Sequence, residues 1–413
     1  MIIAGHLLLP DDDRPGHVRL SPGHLRLDGE QIAEVVEGEM PNTCDAGGPD
    51  ALITPGFIDT HLHLPQFDTI GAHGLPLLEW LDGVTFPAER RWEDTGYARA
   101  MTQRVVGQLL AHGTTGICAY ATVHHDATHA ALQVARDAGL RGVIGQTLIE
   151  RNAPDFLSRP ASQLLDETAR LLEAFPSSGR VAAAVTPRFA VTCTAGFMAE
   201  MGKLAAEHHA FIQSHLAETV PECELIAELF DGTSYVDVYG NAGLLTPRSV
   251  YGHGIYLDEA DQRTLAETGT IIAHCPTANS FLRSGTMDRR SHLDHDVRTT
   301  LGSDIGGGYE RSMVRVGRAM IEAAASFHER EVDTLPNASQ VWWQITTGNA
   351  EALGWPGGGR LAAGASADVV VVQPNIPWHN SAVDPLERLM WSWDDRWVQR
   401  TIARGQTAYP STG

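Results

Sequence analysis

The chain has 413 residues, 43% of them hydrophobic, and a formal net charge of −21 at pH 7. That size and apolar share allow a large buried core and exclude a disordered chain, while the charge would repel a phosphate backbone and excludes polymeric nucleic acid as a partner. Five scattered cysteines with no Cys-x-x-Cys pair exclude a disulfide framework and a thiolate zinc site; with no membrane-length apolar run and no basic-then-apolar start, no membrane is expected and the cytosol is the expected compartment.

The first fifty residues alternate short β-like pieces (6–9, 17–20, 24–27 and 32–36) with Asp/Gly/Pro turns, which predicts a small antiparallel sheet. From Pro55 the pattern changes to β then α, repeated. The first strand is the apolar run ending in His61-Leu62-His63, and the aromatic-rich segment 65–93 after it reads as a lid or pocket wall. A helix over 96–111 follows, then strand 116–122 and a helix over 129–138 with Asp126 as its N-cap. Strand 142–149 precedes helix 161–175, and strand 181–189 precedes a helix capped by Thr194 that runs to about 208. Strands 210–215, 249–253, 270–274 and 298–304 come next, with helices over 221–229, from Asp258 to Gly269, and over 311–328.

Eight such units with polar residues at the strand ends describe a (β/α)8 barrel of the TIM type over 55–358, whose active site lies at the C-terminal face of the strands. A further helix over 339–353 and a Gly/Pro hinge at 354–359 lead to β-like pieces at 368–372 and 397–403. Two half-sheets at opposite chain ends would each leave an unpaired edge. Residues 1–54 and 359–413 are therefore expected to form one composite β-sandwich domain.

In an extended strand alternate side chains share a face, so His61 and His63 project together, and two imidazoles at a strand end can hold one metal ion. In a chain with 19 histidines an isolated His-x-His pair is weak support. What strengthens it is that His61, His63, His215, His253, His274 and Asp304 all fall at predicted strand ends, whereas His124, His129, His208 and His292 do not.

These segments resemble the amidohydrolase superfamily: Pro55-Gly56-Phe57-Ile58-Asp59-Thr60-His61-Leu62-His63, Ser214-His215-Leu216-Ala217-Glu218, Gly252-His253-Gly254, His274-Cys275-Pro276-Thr277-Ala278-Asn279 and Gly302-Ser303-Asp304. Within it, His63-Leu64-Pro65-Gln66, the run from Leu75 to Trp80, Thr85-Phe86-Pro87-Ala88-Glu89 and Thr186-Pro187-Arg188-Phe189 resemble the guanine deaminases. The resemblance spans nearly the whole chain. The single lysine, Lys203, lies outside the fourth strand, so no carboxylated lysine is available to bridge two ions and the one-metal arrangement is expected.

The resemblance then implies His61, His63, His215 and Asp304 as ligands of one zinc ion per chain, with ferrous iron as the alternative. It implies attack of zinc-bound hydroxide on C2 of guanine, with Asp304 taking the proton, His253 steadying the developing charge and Glu218 protonating the ring nitrogen and the departing amine, to give xanthine and ammonia. Arg188 is expected at the purine 6-oxo group, Gln66 at the ring edge and Phe189 on the base, with Leu78, Trp80, His274 and Asn279 completing the pocket. A role in purine catabolism and a homodimer are expected by analogy. A deaminase of 8-oxoguanine, a pterin or a triazine on the same scaffold is the alternative, and a non-catalytic assembly protein a remote one.

Overall fold

The computed structural model describes residues 1–327, 335–379 and 382–410; residues 328–334, 380–381 and 411–413, which the expected helix over 311–328 and the two expected domains include in part, lie outside the described set. Its strands are β1 Ile2–Pro10, β2 Val18–Asp28, β3 Gln31–Glu37, β4 Ala46–Pro55, β5 Phe57–His63, β6 Thr114–Tyr120, β7 Arg141–Leu148, β8 Val181–Pro187, β9 Phe211–Leu216, β10 Ser249–His253, β11 Ile271–His274, β12 Arg298–Leu301, β13 Val369–Val372, β14 Val398–Ala403 and β15 Gln406–Tyr409.

Strands β5 to β12 pair in parallel in sequence order, making an eight-stranded sheet with helices packed outside. Strands β5, β6, β8 and β10 are buried along their full length, which is why they read as apolar runs rather than alternating ones. The barrel closes between β5 and β12 largely through Asn349, whose Nδ2 donates to the carbonyls of Ile58 (2.8 Å) and Leu301 (3.0 Å), while its Oδ1 accepts from Leu301 N (3.1 Å). Past the strand ends, Asp304 N donates to His61 O at 2.7 Å and His63 N to Ile305 O at 2.6 Å.

The two chain ends meet in one seven-stranded sheet of order β15-β14-β13-β4-β1-β2-β3. It is mixed, because β4 runs parallel to β1. The alternation of side chains sorts its two faces: Leu7, Leu9, Ile53, Val369 and Val371 enclose the sheet's own core, whereas Leu8, Leu52, Val370 and Val372 pack on Met313, Val316, Val341 and Trp342 of the barrel's outer helices.

Two expectations are corrected here. The pieces at 17–20 and 24–27 are halves of one strand, β2, which passes through Pro22. Pro22 O accepts from Gly38 N on the β3 side, so the missing N–H faces the point where β3 has ended and no bond to β1 is lost. Asp126 is not an N-cap: the helix starts at His125, and Asp126 sits in its first turn, bonded to His125 Nδ1 at 2.8 Å. Thr194 and Asp258 do cap their helices, accepting from Phe197 N and from Ala260 N and Asp261 N.

The segment after β5 is a chain of short helical turns: Leu64–Thr69, Leu77–Trp80, Leu81–Thr85, Phe86–Arg90 and Arg91–Glu93. Trp80, Phe86 and Trp92 anchor it in the barrel's largest apolar cluster. Among the described residues no helix is long and apolar enough to cross a membrane.

Candidate metal centre and substrate cavity

His61 and His63 leave the end of β5 on one face, His215 is near the end of β9, His253 ends β10 and Asp304 follows β12. Four atoms converge: His63 Nε2 lies 3.1 Å from His215 Nε2, and Asp304 Oδ1 lies 3.4 Å from His61 Nε2 and 3.3 Å from His63 Nε2. Two glycines make room for His61, since a Cβ at Gly252 would meet its ring at 2.5 Å and one at Gly302 its Cβ at 2.6 Å. Asp59 braces the same place, its carboxylate accepting from Ser303 N (2.9 Å), from the Ser303 hydroxyl and from His61 N (3.3 Å).

The protonation states suit a cation. Burial lowers the pKa of His61, takes that of His63 down to about 4 and drops that of His215 well below the usual imidazole range, so all three are neutral near pH 7. Burial would raise the pKa of Asp304, but hydrogen bonds and charge from His61 and His63 lower it well below the carboxylate range whenever those rings carry a proton toward it, a place that a cation would take. His215 Nδ1 donates to Arg188 O at 2.6 Å, which leaves Nε2 as a bare lone pair facing the cluster. His61 Nε2 and Asp304 Oδ1 are buried without a hydrogen-bond partner among the described residues. The ligand atoms of His61, His63 and Asp304, and those of His61, His215 and His253, lie within 4.8 Å of one another, so the cluster could hold a metal ion.

Beside it lies an acid. Glu218 is buried, and loss of hydration raises its pKa to about 7, partly offset by His253. Its Oε2 is 3.3 Å from His253 Nε2, and its Oε1 accepts from Ser284 Oγ at 2.7 Å. His253 Nδ1 donates to Asn279 Oδ1 at 2.9 Å, which turns Nε2 toward Glu218. Burial opposes the charged form of His253, yet Glu218, Asp304 and Asn279 together raise its pKa. The pair is thus built to hold one proton between them. Beneath it Glu222 takes the N–H of Glu218 (3.0 Å) and the hydroxyl of Tyr235 (2.7 Å).

One pocket joins the metal-facing atoms to the acid and to a polar end wall. His63, His215, His253, Asp304 and Glu218 line one side, Gln66, Arg188 and Phe189 the other, and Leu77, Trp80, Leu81 and Leu282 form the cover. Leu78 was expected here, but it points into an outer groove with Tyr256 and Arg283; one residue of helical rotation puts Leu77 in its place. Asn279 and His274 do not line the cavity either. Asn279 acts on it through His253, and His274 is buried behind it with neither ring nitrogen bonded among the described residues.

The sequence profile of the amidohydrolase family matches residues 52–408. The chain belongs to the amidohydrolase family. Among its relatives, the guanine deaminase of Escherichia coli (strain K12) is 35% identical over 369 residues, covering 87% of this chain and 83% of that one. The solved structure of E. coli guanine deaminase superposes with a TM-score of 0.92 at 31% identity, covering 99% of each chain. That of guanine deaminase from C. acetobutylicum, which has guanine bound in its active site, superposes with a TM-score of 0.91 at 25% identity, covering 98% of this chain and 99% of that one.

In this amidohydrolase the fourth barrel strand, β8, carries no lysine, and Lys203 is exposed and paired with Glu200 at 2.6 Å. Four contributors to the site were not singled out from the sequence: Asp59, Glu89, Glu222 and Ser284. Glu222 had a usable signal, the Thr219-x-x-Glu222 capping box at a helix start. Glu89 closes the Thr85-Phe86-Pro87-Ala88-Glu89 segment quoted above, but its contact with Arg188 lies 99 residues away, and Ser284 reaches Glu218 across 66 residues with no local pattern to mark it.

Proposed function

We propose that this amidohydrolase hydrolyses guanine to xanthine and ammonia with one zinc ion held by His61, His63, His215 and Asp304. The observation that carries the reading is the single cavity in which those ligands, a buried carboxyl with a pKa raised to about 7, and an Arg/Gln end wall face one another. The guanine deaminases named above support the choice of substrate. When bound, the metal would act as a Lewis acid that makes water a nucleophile near neutral pH.

The protein's own groups do the rest. Arg188 donates to the 6-oxo group, Gln66 bonds the ring edge and Phe189 packs on the base, which sets C2 toward the metal side. Asp304 takes a proton from the attacking water. As the water oxygen bonds to C2, Glu218 gives its proton to the ring nitrogen beside C2, then takes the proton of the new C2 hydroxyl and passes it to the exocyclic amine: the bond from C2 to that amine breaks, ammonia leaves, xanthine remains, and the proton held by Asp304 returns to Glu218. His253, held by Asn279, steadies the charge that develops at C2. An Arg donor at position 6 favours a carbonyl over an amino group.

The test is ammonia release by zinc-reconstituted protein from guanine, 8-oxoguanine, adenine, a pterin and a triazine. Turnover of guanine far above the others is expected; an inert guanine beside another reactive ring would move the assignment to that ring. Arg188→Ala should cost guanine more than a purine lacking the 6-oxo group, and equal losses would remove Arg188 from position 6.

A further inference from the structure

Glu89 is a buried carboxylate one layer behind the cavity wall, and it binds both residues of the polar end. Arg188 Nη1 donates to its Oε1 at 2.6 Å, and Gln66 Nε2 approaches the same oxygen at 3.4 Å. All three side chains are almost fully buried, and the Arg188 guanidinium also lies over the Phe86 ring at 5.4 Å. A carboxylate only accepts hydrogen bonds. Gln66 must therefore turn its NH2 back to Glu89, which leaves its carbonyl oxygen for the cavity that Gln66 lines.

We propose that Glu89 is a positioning residue that fixes the hydrogen-bond polarity of the cavity's end wall: an acceptor from Gln66 beside a donor from Arg188. A ring presenting C=O next to N–H matches that order, as the 6-oxo and N1–H edge of guanine does. A 6-aminopurine presents the reverse and meets donor with donor and acceptor with acceptor. The inference deepens the guanine reading and rests on the same cavity. It adds that specificity is set from behind the wall, by a residue that does not touch the substrate.

The test is direct binding by calorimetry to zinc-loaded protein, with hypoxanthine (C=O beside N–H) and adenine (amino beside ring N) as probes. Wild-type protein should prefer hypoxanthine. Glu89→Gln removes the charge and supplies a donor, which frees Gln66 to turn over, so the preference should narrow by about tenfold or more. Zinc content should stay at the wild-type level, KM for guanine should rise more than kcat falls, and Glu89→Asp should recover part of the preference. An unchanged ratio, or equal weakening of both probes at full zinc content, overturns the proposal, because packing alone would act on both rings alike. Should Glu89→Gln not fold, Gln66→Leu carries the test from the cavity side: hypoxanthine should weaken about tenfold and adenine should not, and parallel weakening overturns the proposal. Wild-type protein that prefers hypoxanthine but releases no ammonia from guanine would overturn the guanine reading and leave this one standing.

Discussion

Arg188 works at both ends. Its backbone carbonyl fixes the tautomer of His215, and its side chain lines the opposite part of the cavity, so one residue ties the metal ligands to the recognition wall. Glu218 is the residue whose chemistry is most exposed to test. Glu218→Gln should keep the metal, since it is not among the four converging groups, and lose about 10²-fold or more in kcat; near-normal turnover would take Glu218 out of the mechanism. Its role requires the protonated form, and its pKa is raised to about 7, so kcat/KM should fall as pH rises through that value. The same limb should be missing in the Glu218→Gln variant.

At the scale of elements, the strand ends carry the site and the loops after them complete it. The seam between β5 and β12 depends on the Asn349 side chain, which also accepts from Gln344 Nε2 at 3.1 Å. Asn349→Ala would leave buried backbone groups of Ile58 and Leu301 without those partners, a loss of about 2–4 kcal/mol in denaturant unfolding; a change under about 0.5 kcal/mol would mean that water replaces the amide.

The barrel strands and the ligands were legible in the sequence because buried parallel strands read as apolar runs, and a polar residue ending such a run stands out. β10 was placed at its observed bounds, and the other strand ends fell close to theirs. Local patterns failed where the deciding partner is distant. Pro22 reads as a turn unless the end of β3 is known, Leu78 reads like Leu77 until the pitch of a four-residue helix is fixed, and Glu89 and Arg188 each lie in a recognisable segment while their pairing across 99 residues does not show.

For the whole molecule, the metal-capable cluster draws on β5, on the loop after its seam neighbour β12, and on β9, which stands apart from both in the strand order. A bound ion is thus a cross-link of the fold as well as a reagent. Zinc at about a thousand times its dissociation constant would add roughly 4 kcal/mol to stability. Chelation should therefore lower the melting temperature in calorimetry, and readdition of zinc should restore it; an unchanged melting temperature with activity lost would confine the ion to chemistry.

The second sheet sets an order of events. β4 lies between β1, made among the first residues, and β13, whose Val372 pairs with Leu52 across more than three hundred residues of chain. Until β13 is made, β4 has only β1 beside it, and the helices that carry Met313 and Trp342 have Leu8 and Leu52 but not Val370 and Val372 against them. A chain made only as far as the barrel would therefore carry an open edge at β4, the kind of edge along which sheets pair between molecules.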